Sequence, residues 1–402
     1  MAYVGRLATW GIIVILFMGT SAFALGPRGS ATASGAPQLK ASSKAKVTPT
    51  QASIAKKLPT GYSPRPTAAP ATARPTPVPA TPRPTAPATA PPVPPSQPTY
   101  LLVSGSVLTY RGQPVVLRGD NFESCPAQFS CVGRSDITKI DVNQPDYAKV
   151  NSLGANHIRF GLDYAWWSAN RTQFYAVLDQ HVAWAKANHL WLIPVMFSPP
   201  GGSNGGFGGQ AGFWGSSANQ QALIQFWVDF AGHYANEPTI AGYDIFNEPA
   251  PPTAAAWSTW AQAASDAIRA TDQHHFVVLE NSSAGWNLPG VTGSRILWSA
   301  HCYSAVGTNG CNYPGDNPLV PPQRPFWWGE MGSTYPNLGY VPGNLTNFNQ
   351  NGISWSHENF RHGCGAPNCW GLYQNWTAGD FSSPWTAMIT VVSSAMAGSV
   401  KP

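Results

Sequence analysis

Residues 233–249 read HYANEPTIAGYDIFNEP. An apolar run of strand length, TIAGYDIF, lies between two copies of Asn-Glu-Pro at 236–238 and 247–249. Upstream, NQQALIQFWVDFAGHYA (219–235) has the apolar spacing of a helix, and AAAWSTWAQAASDAIRATD (254–272) repeats it downstream. A near-continuous apolar strand between two helices is buried on both faces, as in a parallel sheet covered by helices.

The same unit recurs in both directions along the chain. PVVLRGDNF (114–122) reads as a first strand, YAKVNSLGA (147–155) as a helix and NHIRFGL (156–162) as a second strand. FYAVLDQHVAWAKAN (174–188) is a helix and LWLIPVMF (190–197) a third strand, followed by a Gly-rich loop. After the fourth strand come HFVVLE (275–280), RILWSAHCY (295–303) and PFWWGE (325–330). Either GISWSH (352–357) or CWGLYQNW (369–376) supplies an eighth. Length and repeat number predict an α/β fold of the (β/α)8 barrel type rather than a doubly wound sheet. No G-x-G-x-x-G follows the first strand, which argues against a dinucleotide fold.

Barrel sites form at the C-terminal ends of the strands. That separates the two glutamates of the opening stretch. Glu237 precedes the fourth strand and takes a capping or turn role, with Pro238 ending the helix before it. Glu248 follows the strand, on the catalytic face.

The N-terminal quarter has a different character. Arg6, the apolar stretch GIIVILFMGTSAFA and the small residues at Ala22 and Ala24 read as a signal peptide over 1–24; an uncleaved anchor is the alternative. Residues 25–98 are rich in Pro, Ala, Thr and Ser and read as a disordered linker, leaving 99–402 as the barrel. The net charge of +5 is uneven: residues 1–98 hold 10 Lys and Arg and no acid, so the other 304 carry 13 basic and 18 acidic side chains. A mildly acidic barrel excludes nucleic acid as the expected partner. Export permits disulfides, and the six cysteines fall in three close pairs: Cys125 with Cys131, Cys302 with Cys311, Cys364 with Cys369. Their spacing suggests no metal site, and no cofactor is implied.

Polar residues end nearly every strand: Asp120 and Glu123, Arg159 and Asp163, Glu248, Glu280, His301 with Tyr303, and Glu330. Each alone could be a cap or a loop charge, but together they point polar groups at one end of the barrel. Two glutamates across a barrel mouth suit a retaining glycosidase, which needs two carboxyl groups about 5–5.5 Å apart. Trp166, Trp167, Trp286, Trp327, Trp328, Trp355 and Trp376 fall near strand ends or loops, where flat rings could stack on sugars, although half would be expected in the core.

IAGYDIFNEP followed by PFWWGEMG resembles the paired signatures of glycoside hydrolase family 5, the cellulase-like family of the two-Glu retaining barrel clan. VVLRGDNF, NHIRFGL and HCY are similar to its first, second and sixth strands, so that the resemblance spans most of 105–360. It implies Glu248 as acid/base, Glu330 as nucleophile, Asn247 on the sugar 2-hydroxyl and Arg159 and Tyr303 as partners of Glu330. It further implies His301 in the −1 subsite and Trp355 as an aromatic platform, a place the alternative eighth strand would give to Trp376. The third strand departs from the family, ending VMFSPPGG without a His, which bears on substrate more than on mechanism. The expectation is therefore a secreted, monomeric endo-β-1,4-glucanase with a polysaccharide as its partner. β-Mannanase or β-1,3-glucanase activity, a non-catalytic carbohydrate-binding barrel and a cell-envelope structural protein are the alternatives.

Overall fold

The computed structural model describes residues 99–123, 137–202, 210–281, 291–307, 311, 324–362 and 370–402. The signal and linker segments, Trp286 and the pairs Cys125/Cys131 and Cys364/Cys369 lie outside them.

The described chain begins with an antiparallel meander absent from the sequence expectation: β1 (Leu102–Ser104), β2 (Val107–Tyr110) and β3 (Gln113–Val115). Its tail was expected to run on into the first barrel strand. Instead Gln113–Val115 pairs back onto β2, and the barrel begins afresh at β4 (Arg118–Phe122). Then follow α1 (Gln144–Ser152), β5 (His157–Asp163), α2 (Tyr164–Ala169), α3 (Arg171–Ala187), β6 (Trp191–Ser198), α4 (Ala211–Trp214) and α5 (Ser217–Tyr234). The chain continues through β7 (Gly242–Asp244), α6 (Ala254–Thr271), β8 (Phe276–Glu280), β9 (Ile296–Cys302), β10 (Phe326–Met331), α7 (Val341–Gln350), β11 (Ser354–His357) and α8 (Thr386–Met396). Strands β4 to β11 are parallel neighbours in chain order, and β11 closes on β4. The eighth strand is thus Ser354–His357, and the segment holding Trp376 is not a barrel strand.

Helix starts follow local chemistry. Asn170, Ser216 and Thr253 each accept the backbone N–H three residues on, at the heads of α3, α5 and α6, and Asn143 with Asp146 forms a capping box on α1.

Two apolar layers result. Outward-facing strand residues such as Phe160, Tyr243, Trp328 and Trp355 pack under the helices. Inward-facing Trp191, Ile193, Phe276, Val278, Leu297 and Trp327 fill the barrel's lower end, where Leu108, Tyr110 and Val115 of the meander close it. Alternation sends residues two apart along a strand to the same face. Phe276, Val278 and Glu280 therefore share the interior, as do Leu297, Ser299 and His301. Apolar filling below gives way to polar side chains above.

Candidate active site

Arg159 of β5 is the centre of the upper layer. It is fully buried, and every nitrogen of its guanidinium donates to a side chain. Nε bonds Asp244 at 2.9 Å, Nη1 bonds Glu330 Oε1 at 2.7 Å, and Nη2 bonds both Asn247 Oδ1 and Glu280 Oε1 at 2.7 Å. Its charged carbon lies 5.2 Å from the Phe197 ring centre and 6.0 Å from that of Trp327. A buried guanidinium is tolerated only with such complete pairing, so Arg159 orders the carboxylates of three different strands, β7, β8 and β10, and the amide of Asn247.

Glu330 owes its direction to a break in β10. Trp328 pairs with Ala300, but Glu330 pairs with His301, so the register slips by one residue at Gly329. Strict alternation from inward Trp327 would turn Glu330 outward; the slip returns it to the mouth. A Cβ on Gly329 would lie 2.6 Å from Ser299 Oγ, so that close approach requires glycine. Tyr303 Oη donates to Glu330 Oε2 at 2.5 Å.

Glu248 lies beyond β7 in the left-handed region, with φ of 43°. For a residue with a Cβ this costs roughly 1–2 kcal/mol, which surrounding bonds must offset. Gln210 Nε2 donates to the Glu248 carbonyl at 3.0 Å, and Gln210 Oε1 accepts the Ala250 N–H at 2.7 Å. Glu280 Oε2 accepts the Glu248 N–H at 2.7 Å.

His301 joins the carboxyls. Its Nδ1 is 2.8 Å from Glu248 Oε1 and 3.2 Å from Glu330 Oε2, and its Nε2 is 3.3 Å from Glu280 Oε2. Converging atoms of Glu248, His301 and Glu330 all lie within 4.8 Å of one another. That spacing could also hold a cation. However, burial, which would push His301 down, is outweighed by Glu280, Glu330 and Glu248, which hold it well above its ordinary value. A metal there would have to displace the proton that these carboxyls hold on His301.

Arg159 and His301 face four carboxyls: Asp244, Glu248, Glu280 and Glu330. Burial raises Glu248, with Glu330 and Glu280 adding to it against the opposing pull of His301. Burial and the charge of Glu280 push Asp244 well up despite Arg159. At Glu280, His301, Arg159 and the Glu248 N–H outweigh burial and lower it to about 2. Of the two carboxyls raised in this way, Glu248 is the one at the mouth.

Glu358 follows β11 and borders the cleft. Its Oε2 accepts Asn121 Nδ2 at 2.6 Å. Burial, Glu123 and Glu330 hold its proton well above the ordinary range, and its carboxyl hydrogen-bonds that of Glu123, which burial also raises.

Most of the expected set converges in this cluster: Glu248, Glu330, Arg159, Asn247, His301 and Tyr303. Trp355 does not. Ser354 and Ser356 take the inward positions of β11, Ser356 Oγ lying 2.6 Å from His157 Nε2. Trp355 therefore faces the helix layer, fully buried, with its indole N–H on Asn349 of α7 at 3.1 Å. It is a packing residue. Trp166, Trp327 and Trp328 are buried as well, and Trp376 stands half-buried against His362, ring centres 5.2 Å apart. Half-buried Trp370 meets Tyr303, the partner of Glu330, edge to face at 5.0 Å. Cys302 and Cys311 form a disulfide, which anchors the chain just beyond His301.

Sequence reading set Glu280 among the polar strand ends without giving it a role, and omitted Asp244, Gln210, Trp370 and Glu358 from the site. Asp244 had a signal, a lone acid in an apolar strand. Glu358 was obscured by the open choice of eighth strand. Gln210 and Trp370 had none, since only loop geometry brings them in.

The sequence profile "Cellulase (glycosyl hydrolase family 5)" matches residues 121–356. A curated β-xylosidase from Phanerodontia chrysosporium is 26% identical over 178 residues, covering 40% of this chain and 37% of its own length. The chain therefore spans little more than a third of that relative. Among solved structures, a β-glucanase from Saccharophagus degradans, crystallised with cellotetraose, has a TM-score of 0.56 at 17% identity, covering 75% of this chain and 93% of its own. The catalytic domain of Thermobifida fusca endoglucanase Cel5A has a TM-score of 0.56 at 17% identity, covering 74% and 97%. A Pseudomonas stutzeri endoglucanase crystallised with cellobiose has a TM-score of 0.53 at 18% identity, covering 71% and 94%.

Proposed function

The chain belongs to glycosyl hydrolase family 5 and is a glycosidase, and from that premise we propose a retaining endo-β-1,4-glucanase with Glu330 as nucleophile and Glu248 as acid/base. The observation that carries this reading is the approach of the two carboxyls, with oxygens of Glu248 and Glu330 within 4.8 Å. Retaining enzymes hold their carboxyls about 5–5.5 Å apart, and inverting enzymes about 6.5–9.5 Å to admit a water between them.

In the first step a Glu330 oxygen bonds to the anomeric carbon as the glycosidic C–O bond breaks. Glu248 gives its proton to the departing oxygen, and the glycosyl-enzyme ester forms. Arg159 and Tyr303 hold Glu330 at both oxygens, which fixes its line of attack. Esterification removes the negative charge of Glu330, one of the influences that raise Glu248. Glu248 then acts as base, taking a proton from water as that water's oxygen attacks the anomeric carbon and frees Glu330.

The β-glucanase and endoglucanase names among the structural relatives support a β-1,4-glucan substrate, and the bound cellotetraose of one supports an extended cleft. We further propose an exported monomer, with the N-terminal segment removed after Ala24 and the Pro-rich segment acting as a spacer.

Reducing-sugar release from cellulose, mixed-linkage β-glucan, β-1,3-glucan, β-mannan and xylan tests the substrate. Release from the β-1,4-glucans with β-configured first product is the expected outcome; release from mannan or β-1,3-glucan alone, or an α-configured product, overturns it. The N-terminal mass of the protein recovered from its native source tests the cleavage.

A further inference from the structure

Glu280 is 1% exposed, so it lies behind the cleft surface. Yet its carboxylate reaches both sides of the catalytic pair. Oε1 accepts from Arg159 Nη2 at 2.7 Å, and the other terminal nitrogen of Arg159 holds Glu330 at 2.7 Å. Oε2 accepts the Glu248 backbone N–H at 2.7 Å, at the residue whose φ is 43°. The same Oε2 lies 3.3 Å from His301 Nε2, whose Nδ1 is 2.8 Å from the Glu248 carboxyl. Each oxygen thus serves one member of the pair. Glu280 is itself held at its backbone, with Trp257 Nε1 on its carbonyl at 3.0 Å. Its interior position follows from alternation after Phe276 and Val278 on β8.

We propose that Glu280 is a positioning residue for the glycosidase reaction, a single carboxylate that sits against His301, locks the left-handed backbone of Glu248 and steadies Arg159 against Glu330. This rests on the assignment of Glu248 and Glu330 as the catalytic pair. The groups facing His301 are Glu248 beyond β7, Glu280 on β8, Tyr303 after β9 and Glu330 on β10, with Asp244 and Arg159 one layer below. Of these, Glu280 and Glu330 contribute most to holding its charge. An isosteric amide at 280 keeps the shape and one acceptor, but loses the charge that His301 reads and cannot accept at both ends.

The test is Glu280→Gln in the full chain, with Glu280→Asp alongside. The imidazole nitrogens of His301 are titrated by 15N NMR, and kcat and KM are measured on whichever polymer the enzyme cuts. In the parent, His301 stays doubly protonated well above the pH at which a free imidazole loses its proton. In Glu280→Gln its midpoint falls by about one unit or more, the size set by losing one close opposite charge. The same variant loses about 10–100-fold in kcat with KM changed by less than about threefold, as expected for misplaced rather than missing catalytic groups. Glu280→Asp keeps His301 cationic but still loses kcat, because the shorter chain cannot span Arg159 and the Glu248 N–H together. A neutral His301 at pH 7 in the parent overturns the proposal whether or not either variant folds. So does a Glu280→Gln protein that melts normally with unchanged His301 titration and kcat. If Glu248→Gln and Glu330→Gln remain active, the catalytic assignment fails instead, and the His301 titration still reports on Glu280 alone.

Discussion

The two Asn-Glu-Pro tripeptides stand at opposite ends of β7, and their glutamates live in opposite environments. Glu237, below the barrel, turns its side chain back on its own backbone, Oε1 accepting the Thr239 N–H at 3.0 Å. Lys186 pairs with it at 3.2 Å, and these partners outweigh partial burial to lower its acidity range. Glu248, above the barrel, is held in a left-handed conformation, and burial with the nearby carboxyls of Glu330 and Glu280 raises it. Nothing in the tripeptide distinguishes them. Strand direction does, because parallel strands place their carboxyl ends, and the loops after them, on one face. The lower end is a closed network in which Asp272 accepts from Tyr243 Oη at 2.6 Å and lies 2.5 Å from His275 Nδ1. The upper end has comparable bonding but leaves two carboxyls at an open mouth.

Substitutions at the two ends should therefore differ in kind. Glu330→Gln removes the proposed nucleophile, and kcat on the cleaved polymer should fall by more than about 10⁴-fold with the melting temperature little changed. Glu248→Gln should lose about 10²–10⁴-fold. Because Glu248 must carry its proton to act as acid, and its value is raised, the parent's rate should fall as pH rises through that raised value. A kcat/KM profile from pH 4 to 9 checks this, and the basic limb should vanish in the variant. At the lower end, Asp272→Asn should leave kcat within about twofold but cost about 3–5 kcal/mol of unfolding free energy in urea melts. Asp272 is depressed well below its ordinary value by His275, Tyr243 and a backbone N–H, which outweigh burial. Its contribution is thus present above pH 4 and lost as pH falls toward the depressed value. Glu237→Gln should have the smallest effect, under about 1 kcal/mol by the same melts and none on kcat, since its ion pair is partly exposed. An activity loss in Glu237→Gln, or a purely structural loss in Glu248→Gln, would erase the distinction between the two ends.

Trp355 and Glu330 show where the legible part of the sequence stopped. Both sit on strands whose existence the apolar runs declared. For Trp355, alternation within SWSH decides which side chain looks inward, and that could be judged only once Ser354–His357 was known to be the eighth strand. For Glu330, alternation from Trp327 predicts the wrong face, and only the slip at Gly329 restores it. The meander β1–β3 escaped notice for a related reason: PVVLRGDNF is one apolar run, and pairing with β2 cuts it in two.

By itself the sequence determined the parallel barrel and the end of it where Glu248 and Glu330 lie. Buried strands must be apolar, and direction along a strand is written in the order of residues. What tertiary structure alone decided was the charge state of the site. The neighbours of Arg159 come from positions 244, 247, 280 and 330, and those of His301 from 248, 280 and 330. A proton's affinity depends on distances of a few ångströms between residues far apart in the chain, and barrel closure sets those distances.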